Sequence, residues 1–192
     1  MLLALAACGG GSAKLERLGT GDVVLAFGDS LTHGTGANPA ESYPAVLEGS
    51  IGRKVVNAGV PGETSAEGLA RLPGVLEEVR PKLLILCHGG NDFLRRLDES
   101  RARDNVRAMI ALARGKGVDV ILLATPKPSV PPSIPPFYGE VAADLRVPFE
   151  EAVIRAVLVD NRLKSDLVHP NAQGYARIAA AVKKLLEKSG AL

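Results

Sequence analysis

Four short apolar runs recur along the chain, at residues 22–27 (DVVLAF), 54–58 (KVVNA), 82–87 (KLLILC) and 118–124 (VDVILLA). Each is of strand length, and none alternates cleanly between apolar and polar residues. A strand that is apolar on both faces must be covered on both faces, as happens when a parallel sheet lies between helices. Each run also stops abruptly, at Gly28, at Gly59, at Gly89-Gly90 and at Thr125-Pro126. A fifth, weaker run lies at 147–149.

Helical patterns fill the gaps. Thr64-Ser65-Ala66-Glu67 is a capping box, in which Thr64 caps the amino end of a helix while Glu67 reaches back. Pro73 predicts the start of a second short helix, with proline at its first position. Val106, Met109, Ile110 and Ala113 share one helical face. Ala172, Tyr175, Ile178, Ala179, Val182, Leu185 and Leu186 recur at the same period and predict a C-terminal helix packed on the sheet. Lys183, Lys184 and Lys188 lie in its last turns, where the helix dipole favours cations. Six of the 13 prolines crowd into 126–136 (PKPSVPPSIPP), which makes that segment a stiff loop after the fourth strand. Strand alternating with helix from 22 to 188 is an α/β layered domain, and 192 residues suffice for one domain with a real core.

Composition removes several functions. Apolar residues are 46% and charged residues 23%, the mix of a packed domain rather than a disordered chain. The formal net charge is +2 with no basic block, which argues against nucleic acid as a partner. Aromatics are 4% with no tryptophan, so a stacking platform is poorly supplied. No apolar run reaches the roughly 18 residues of a membrane span. Cys8 and Cys87 are too few for a disulfide framework. His33, His88 and His169 lack metal-ligand spacing, so no metal is expected.

The first twenty residues stand apart. Residues 1–8 read MLLALAAC, followed by Gly9-Gly10-Gly11-Ser12. Leu5-Ala6-Ala7-Cys8 resembles a bacterial lipobox, whose cysteine is lipidated after cleavage, and the glycine-serine run suits a flexible tether. The match is short: no basic residue precedes Lys14, and a signal carries an apolar stretch of about 7–15 residues. The reading is a lipoprotein-like signal remnant and tether over 1–20, with Cys8 lipidated and membrane-held, followed by a domain over 21–192. That places the protein in the periplasm or cell envelope. The alternative is a frayed apolar terminus on a cytoplasmic protein.

In open α/β sheets ligands bind beyond the carboxyl ends of the strands, and the unusual residues fall there. Asp166 and His169 are three apart, so a single turn puts both side chains on one side. The carboxylate accepts the proton of one imidazole nitrogen, fixes the tautomer, and leaves the other nitrogen as a base. Ser30, directly after the first strand, is its natural partner, because a serine hydroxyl is a weak nucleophile until a base takes its proton. Acyl transfer also needs donors for the oxyanion. The candidates are the backbone N–H groups of Ser30 and Gly59, where glycine allows close approach, and the side-chain amide of Asn91. His33 is a rival base but has no carboxylate at matching spacing. Asp29 and Asp92 flank the site as structural hydrogen-bonders. His88 reads as a satisfied or pocket-lining histidine, and Cys87 as a small buried hydrophobe. Val130, Ile134, Phe137 and Tyr138 either line an apolar acyl or aryl pocket or pin the proline-rich loop.

Four blocks in order, GDSLT at 28–32, NAGVPGETS at 57–65, GGND at 89–92 and DLVHPNAQGY at 166–175, resemble those of the SGNH (GDSL-type) hydrolase family. The likeness spans almost the whole domain and is nearest to the small bacterial arylesterases, acyl-CoA thioesterases and lysophospholipases. It implies a flavodoxin-like three-layer α/β/α sandwich with a five-stranded parallel sheet in the order 2-1-3-4-5. It also implies a serine esterase that cleaves small ester or thioester substrates through an acyl-enzyme on Ser30, with no cofactor, no metal and no obligate protein partner. Cys87-His88 before GGND and the proline-rich loop depart from the family pattern, and they bear on substrate preference. An O-acetylesterase of envelope polysaccharide is the rival enzyme. A flavodoxin-like nucleotide- or flavin-binding module is the rival from another class, but the 28–36 loop has no Gly-Lys-Ser/Thr.

Overall fold

The computed structural model describes residues 14–192. Cys8 and the glycine-serine run at 9–12 lie outside the described residues. Five strands form one parallel sheet: β1 Val23–Gly28, β2 Lys54–Gly59, β3 Leu83–Cys87, β4 Asp119–Leu123 and β5 Phe149–Glu150. Their order is β2-β1-β3-β4-β5, the order implied by the family resemblance. The four apolar runs become strands within one residue of their sequence limits. The fifth starts two residues later than 147–149, because the Val147 N–H closes the preceding helix on Ala142 O and Pro148 has no N–H to give a ladder.

Eight α-helices accompany these strands among the described residues: α1 Ser30–His33, α2 Tyr43–Ile51, α3 Ser65–Val79, α4 Gly90–Leu94, α5 Glu99–Gly115, α6 Phe137–Leu145, α7 Val153–Val159 and α8 Ala172–Ser189. The pleat divides each strand between two cores. Val24 and Ala26 of β1 face α2, α7 and α8, while Leu25 and Phe27 face α3, α5 and α6. Both faces of the sheet are therefore covered, which explains the continuous apolar runs.

Local signals set most helix ends. Thr64 caps α3 as expected, and its N–H is returned to Glu67 Oε2 at 2.8 Å. Asn171 caps α8, Gly190 ends it in the left-handed conformation, and Tyr175, Ile178, Ala179, Val182 and Leu186 are buried along it. Val106, Met109, Ile110 and Ala113 are all buried on α5.

One expectation is corrected: α3 does not break at Pro73 but runs through it. Leu72 and Leu76, on either side of the proline, are both buried in the same core. Two buried leucines contribute about 1.5–3 kcal/mol each, which offsets the roughly 3 kcal/mol an interior proline costs. The 126–136 segment is an irregular loop as expected, closed by a single antiparallel bridge between Lys127 and Ser133.

The amino-terminal segment is docked before residue 21. Leu15 N–H donates to Ser189 O and Leu18 N–H to Ala191 O, both at 2.9 Å, and Leu18 is buried. Glu16 N–H donates to Asp119 Oδ2 at 3.0 Å and its carboxylate pairs with Lys82, so this segment lies at the amino ends of β3 and β4. Among the described residues no helix is long and apolar enough to cross a membrane.

Candidate active site

Strands β2, β1 and β3 stop on a common line, with Gly28 opposite Gly59 on one side and Cys87 on the other. Gly28 has no room for a side chain, since a Cβ there would run into the Cys87 carbonyl oxygen and Thr32 Oγ1. The chain turns at once into α1. Asp29 caps that turn, its Oδ1 accepting from Leu31 N–H at 3.0 Å, and burial holds its carboxyl above the usual carboxylate range. Ser30 is thereby fixed at the tip of β1.

Ser30 Oγ lies 3.0 Å from His169 Nε2, although 139 residues separate them. His169 Nδ1 lies 2.7 Å from Asp166 Oδ2. Asp166 Oδ1 accepts the N–H groups of Val168 and His169, each at 2.8 Å. Burial pushes the Asp166 carboxyl up, but the bonds from the His169 ring and the two N–H groups outweigh it and hold the carboxyl below its ordinary value. A charged Asp166 takes the Nδ1–H, which leaves the Nε2 lone pair facing the serine hydroxyl. The loop is itself held, with Ser165 N–H on His169 O at 2.9 Å.

Asn91, in the first turn of α4, lines one small cleft with Ser30 and His169. Asn91 Nδ2 donates to Glu63 O at 3.0 Å and to Asp29 Oδ2 at 3.3 Å.

Gly59 has a different job from the one expected. Its N–H is already committed to Asn57 Oδ1 at 3.0 Å, and a Cβ there would run into the α1 backbone at His33, so it is a packing glycine under α1. Three residues on, Gly62 has φ +80°, and its N–H has no acceptor among the described residues. The Ser30 N–H is likewise without one. Gly62 adjoins Glu63, whose carbonyl receives Asn91. The sequence did carry a signal for it. Val60-Pro61-Gly62-Glu63 is a type II turn with proline second and glycine third, closed by Glu63 N–H on Val60 O at 3.2 Å.

The other candidates fall as follows. His33 is exposed at the end of α1, and its ring takes no part in the serine–histidine–aspartate chain. Cys87 and His88 are fully buried, with His88 Nε2 against Glu63 Oε2 at 3.0 Å. Asp92 accepts from Ser65 N–H at 2.8 Å and from Ser65 Oγ–H at 2.7 Å. Of the four expected pocket residues only Val130 lines a groove. Phe137 and Tyr138 are buried in the core on that side of the sheet and Ile134 packs against it, because α6 turns that face inward. The groove is built instead from Leu94, Pro128, Pro132, Leu158, Leu167 and Val168, which also line the cavity at Ser30. It continues outward to Val130 and Val159.

The sequence profile of the GDSL-like lipase/acylhydrolase family matches residues 26–177. The chain is 30% identical over 178 residues to the esterase TesA of Pseudomonas aeruginosa, covering 85% of this chain and 87% of that protein. It is 27% identical to the thioesterase 1/protease 1/lysophospholipase L1 of Escherichia coli, covering 89% of this chain and 86% of that protein. The crystal structure of AlinE4, an SGNH-hydrolase family esterase, superposes with a TM-score of 0.67 at 31% identity, covering 90% of this chain and 98% of that one. With the sheet order and the profile match in agreement, the chain belongs to the GDSL-like lipase/acylhydrolase family, as a serine ester hydrolase of its small bacterial SGNH branch.

Proposed function

We propose that Ser30 is the nucleophile, His169 the general base and then acid, and Asp166 the group that orients it. The observation that carries this reading is the hydrogen-bonded chain from Ser30 Oγ through His169 to Asp166, with links of 3.0 and 2.7 Å. Ser30 Oγ attacks the acyl carbon while its proton passes to His169 Nε2. The carbonyl π pair moves onto oxygen, and that oxyanion is met by the Ser30 N–H, the Gly62 N–H and the Asn91 Nδ2 proton released from the longer, 3.3 Å bond to Asp29 Oδ2. Gly62 takes the place expected for Gly59, whose N–H is engaged. His169 returns the proton to the departing alcohol or thiol, leaving an acyl-enzyme. Water then gives its proton to His169 and its oxygen to the acyl carbon, and Ser30 leaves with that proton.

The substrates are carboxylic esters, aryl esters and thioesters with short to medium acyl chains. The apolar groove beside Ser30 supports this class, and relatives named as esterase and thioesterase add to it. The segment ahead of the packed domain is a tether, held to the cell envelope through lipid on Cys8. Radiolabelled palmitate tests that part: a soluble, unlabelled product unchanged by Cys8→Ala overturns it.

Fluorophosphonate labelling tests the chemistry. Covalent label on Ser30, lost in Ser30→Ala and His169→Ala, is expected. On a nitrophenyl ester, Asn91→Ala lowers kcat by about 10²–10³ with KM little changed. A folded Asn91→Ala with wild-type kcat, or a dead His33→Ala, sinks the assignment.

A further inference from the structure

β2 and β3 never touch, because β1 lies between them in the sheet. Yet the oxyanion pocket needs Gly62, from the loop after β2, and Asn91, from the first turn of α4 where the β3 loop ends, to aim at one point beside Ser30. No ladder joins those two loops, so side chains must set the distance between them.

Glu63 is where they meet. Its carbonyl accepts Asn91 Nδ2 at 3.0 Å. Its carboxylate accepts Arg71 Nε at 2.6 Å, Arg71 Nη2 at 2.7 Å and His88 Nε2 at 3.0 Å. Burial raises the Glu63 carboxyl, but Arg71 and His88 outweigh it and bring it down to about 2. Arg71 Nη2 also donates to Ala58 O at 3.0 Å, so Arg71 ties Glu63 back to β2. His88 is the partner that reaches across from β3. Its ring is fully buried, packs on Phe27 at 5.4 Å between centroids, and fits because residue 68 is glycine, where a Cβ would strike Nε2. His88 directly precedes Gly89-Gly90-Asn91, and its own carbonyl is held by Tyr138 Oη–H at 2.7 Å. On the exposed side, Arg95 Nη2 donates to Gly62 O at 2.6 Å. The Ser65–Asp92 bonds join the starts of α3 and α4 but leave the Gly62 peptide free.

We propose that His88 and Arg95 are positioning residues. His88, just after β3, and Arg95, at the carboxyl end of α4, clamp Gly62-Glu63 of the β2 loop, and so fix the spacing between the Gly62 N–H and Asn91 Nδ2. Neither touches substrate. The proposal rests on Gly62 and Asn91 being the oxyanion donors. Such donors work only when already in place as charge develops, and a misplacement of about 1 Å costs up to roughly 10² in rate.

The test uses His88→Leu, His88→Gln and Arg95→Ala on nitrophenyl butyrate, each alone and combined with Asn91→Ala, with folding checked by circular dichroism. His88→Leu and Arg95→Ala are each expected to lower kcat about tenfold with KM within about twofold, since the donors act on the transition state. His88→Gln keeps an N–H for Glu63 and restores kcat to within about threefold. In the Asn91→Ala background the cost of His88→Leu shrinks at least about threefold, because it acts through the group already removed, whereas a merely structural residue would be additive. Wild-type kcat in folded His88→Leu and Arg95→Ala, or full additivity, overturns the clamp. Should His88→Leu not fold, Arg95→Ala decides alone, its side chain being exposed. Wild-type kcat in Asn91→Ala overturns the oxyanion reading itself, and the clamp with it.

Discussion

At the scale of single residues, the site depends on tautomer as much as on distance. The Asp166 carboxylate accepts three hydrogen bonds and only accepts, so it selects the His169 form with a proton on Nδ1. In Asp166→Asn the side chain also presents an N–H face to His169. We expect kcat on a nitrophenyl ester to fall by as much as about 10⁴, with KM and melting temperature nearly unchanged. A variant within tenfold of wild type would show that the carboxylate does not set the tautomer. Asp166, His169 and Ser30 were legible in the sequence because each is defined by local chemistry, a spacing of three or the residue after a strand. Gly59 and Gly62 were not separable that way. Both follow β2, and choosing between them needs the hydrogen bond from Gly59 to Asn57, together with the turn that leaves Gly62 at φ +80°.

At the scale of elements, the strands were legible because burial on both faces writes a continuous apolar run, and α5 and α8 because one buried stripe writes a helical period. The short helices α2, α6 and α7 were not. Their burial is divided over two turns or so, and α6 follows a proline run that gives no cap. Helix α3 was read as two because the local rule for Pro73 was stronger in the sequence than the shared burial of Leu72 and Leu76, which exists only after folding. The proline should then be a cost that the fold tolerates. Pro73→Ala restores an intrahelical bond and loses some unfolded-state restriction, for a net gain of about 1–2 kcal/mol. Thermal unfolding should show a rise in Tm of roughly 2–8 °C. A fall in Tm would mean that the ring itself packs in a way the helix needs.

At the scale of the whole molecule, acid stability follows from the buried Glu63. Its ordinary value is 4.5 and its folded value about 2, so the unfolded chain takes up the proton first as pH falls. The stabilisation is complete above about pH 4.5 and is lost progressively toward pH 2. Asp29 works the other way, since burial raises its carboxyl and protonation in acid favours the folded chain. We expect Tm to drop between pH 5 and 2, and the drop to be shallower in Glu63→Gln, which has no such proton to gain. A slope identical in the two proteins would remove Glu63 from the account. The docking of Leu15 and Leu18 against Ser189 and Ala191 has a consequence of another kind. The described chain enters the domain at the amino ends of β3 and β4, while Ser30 and His169 stand at the opposite pole, beyond the carboxyl ends of the strands. A bulky group joined at residue 14 would therefore sit across the sheet from Ser30 and leave the way to it open.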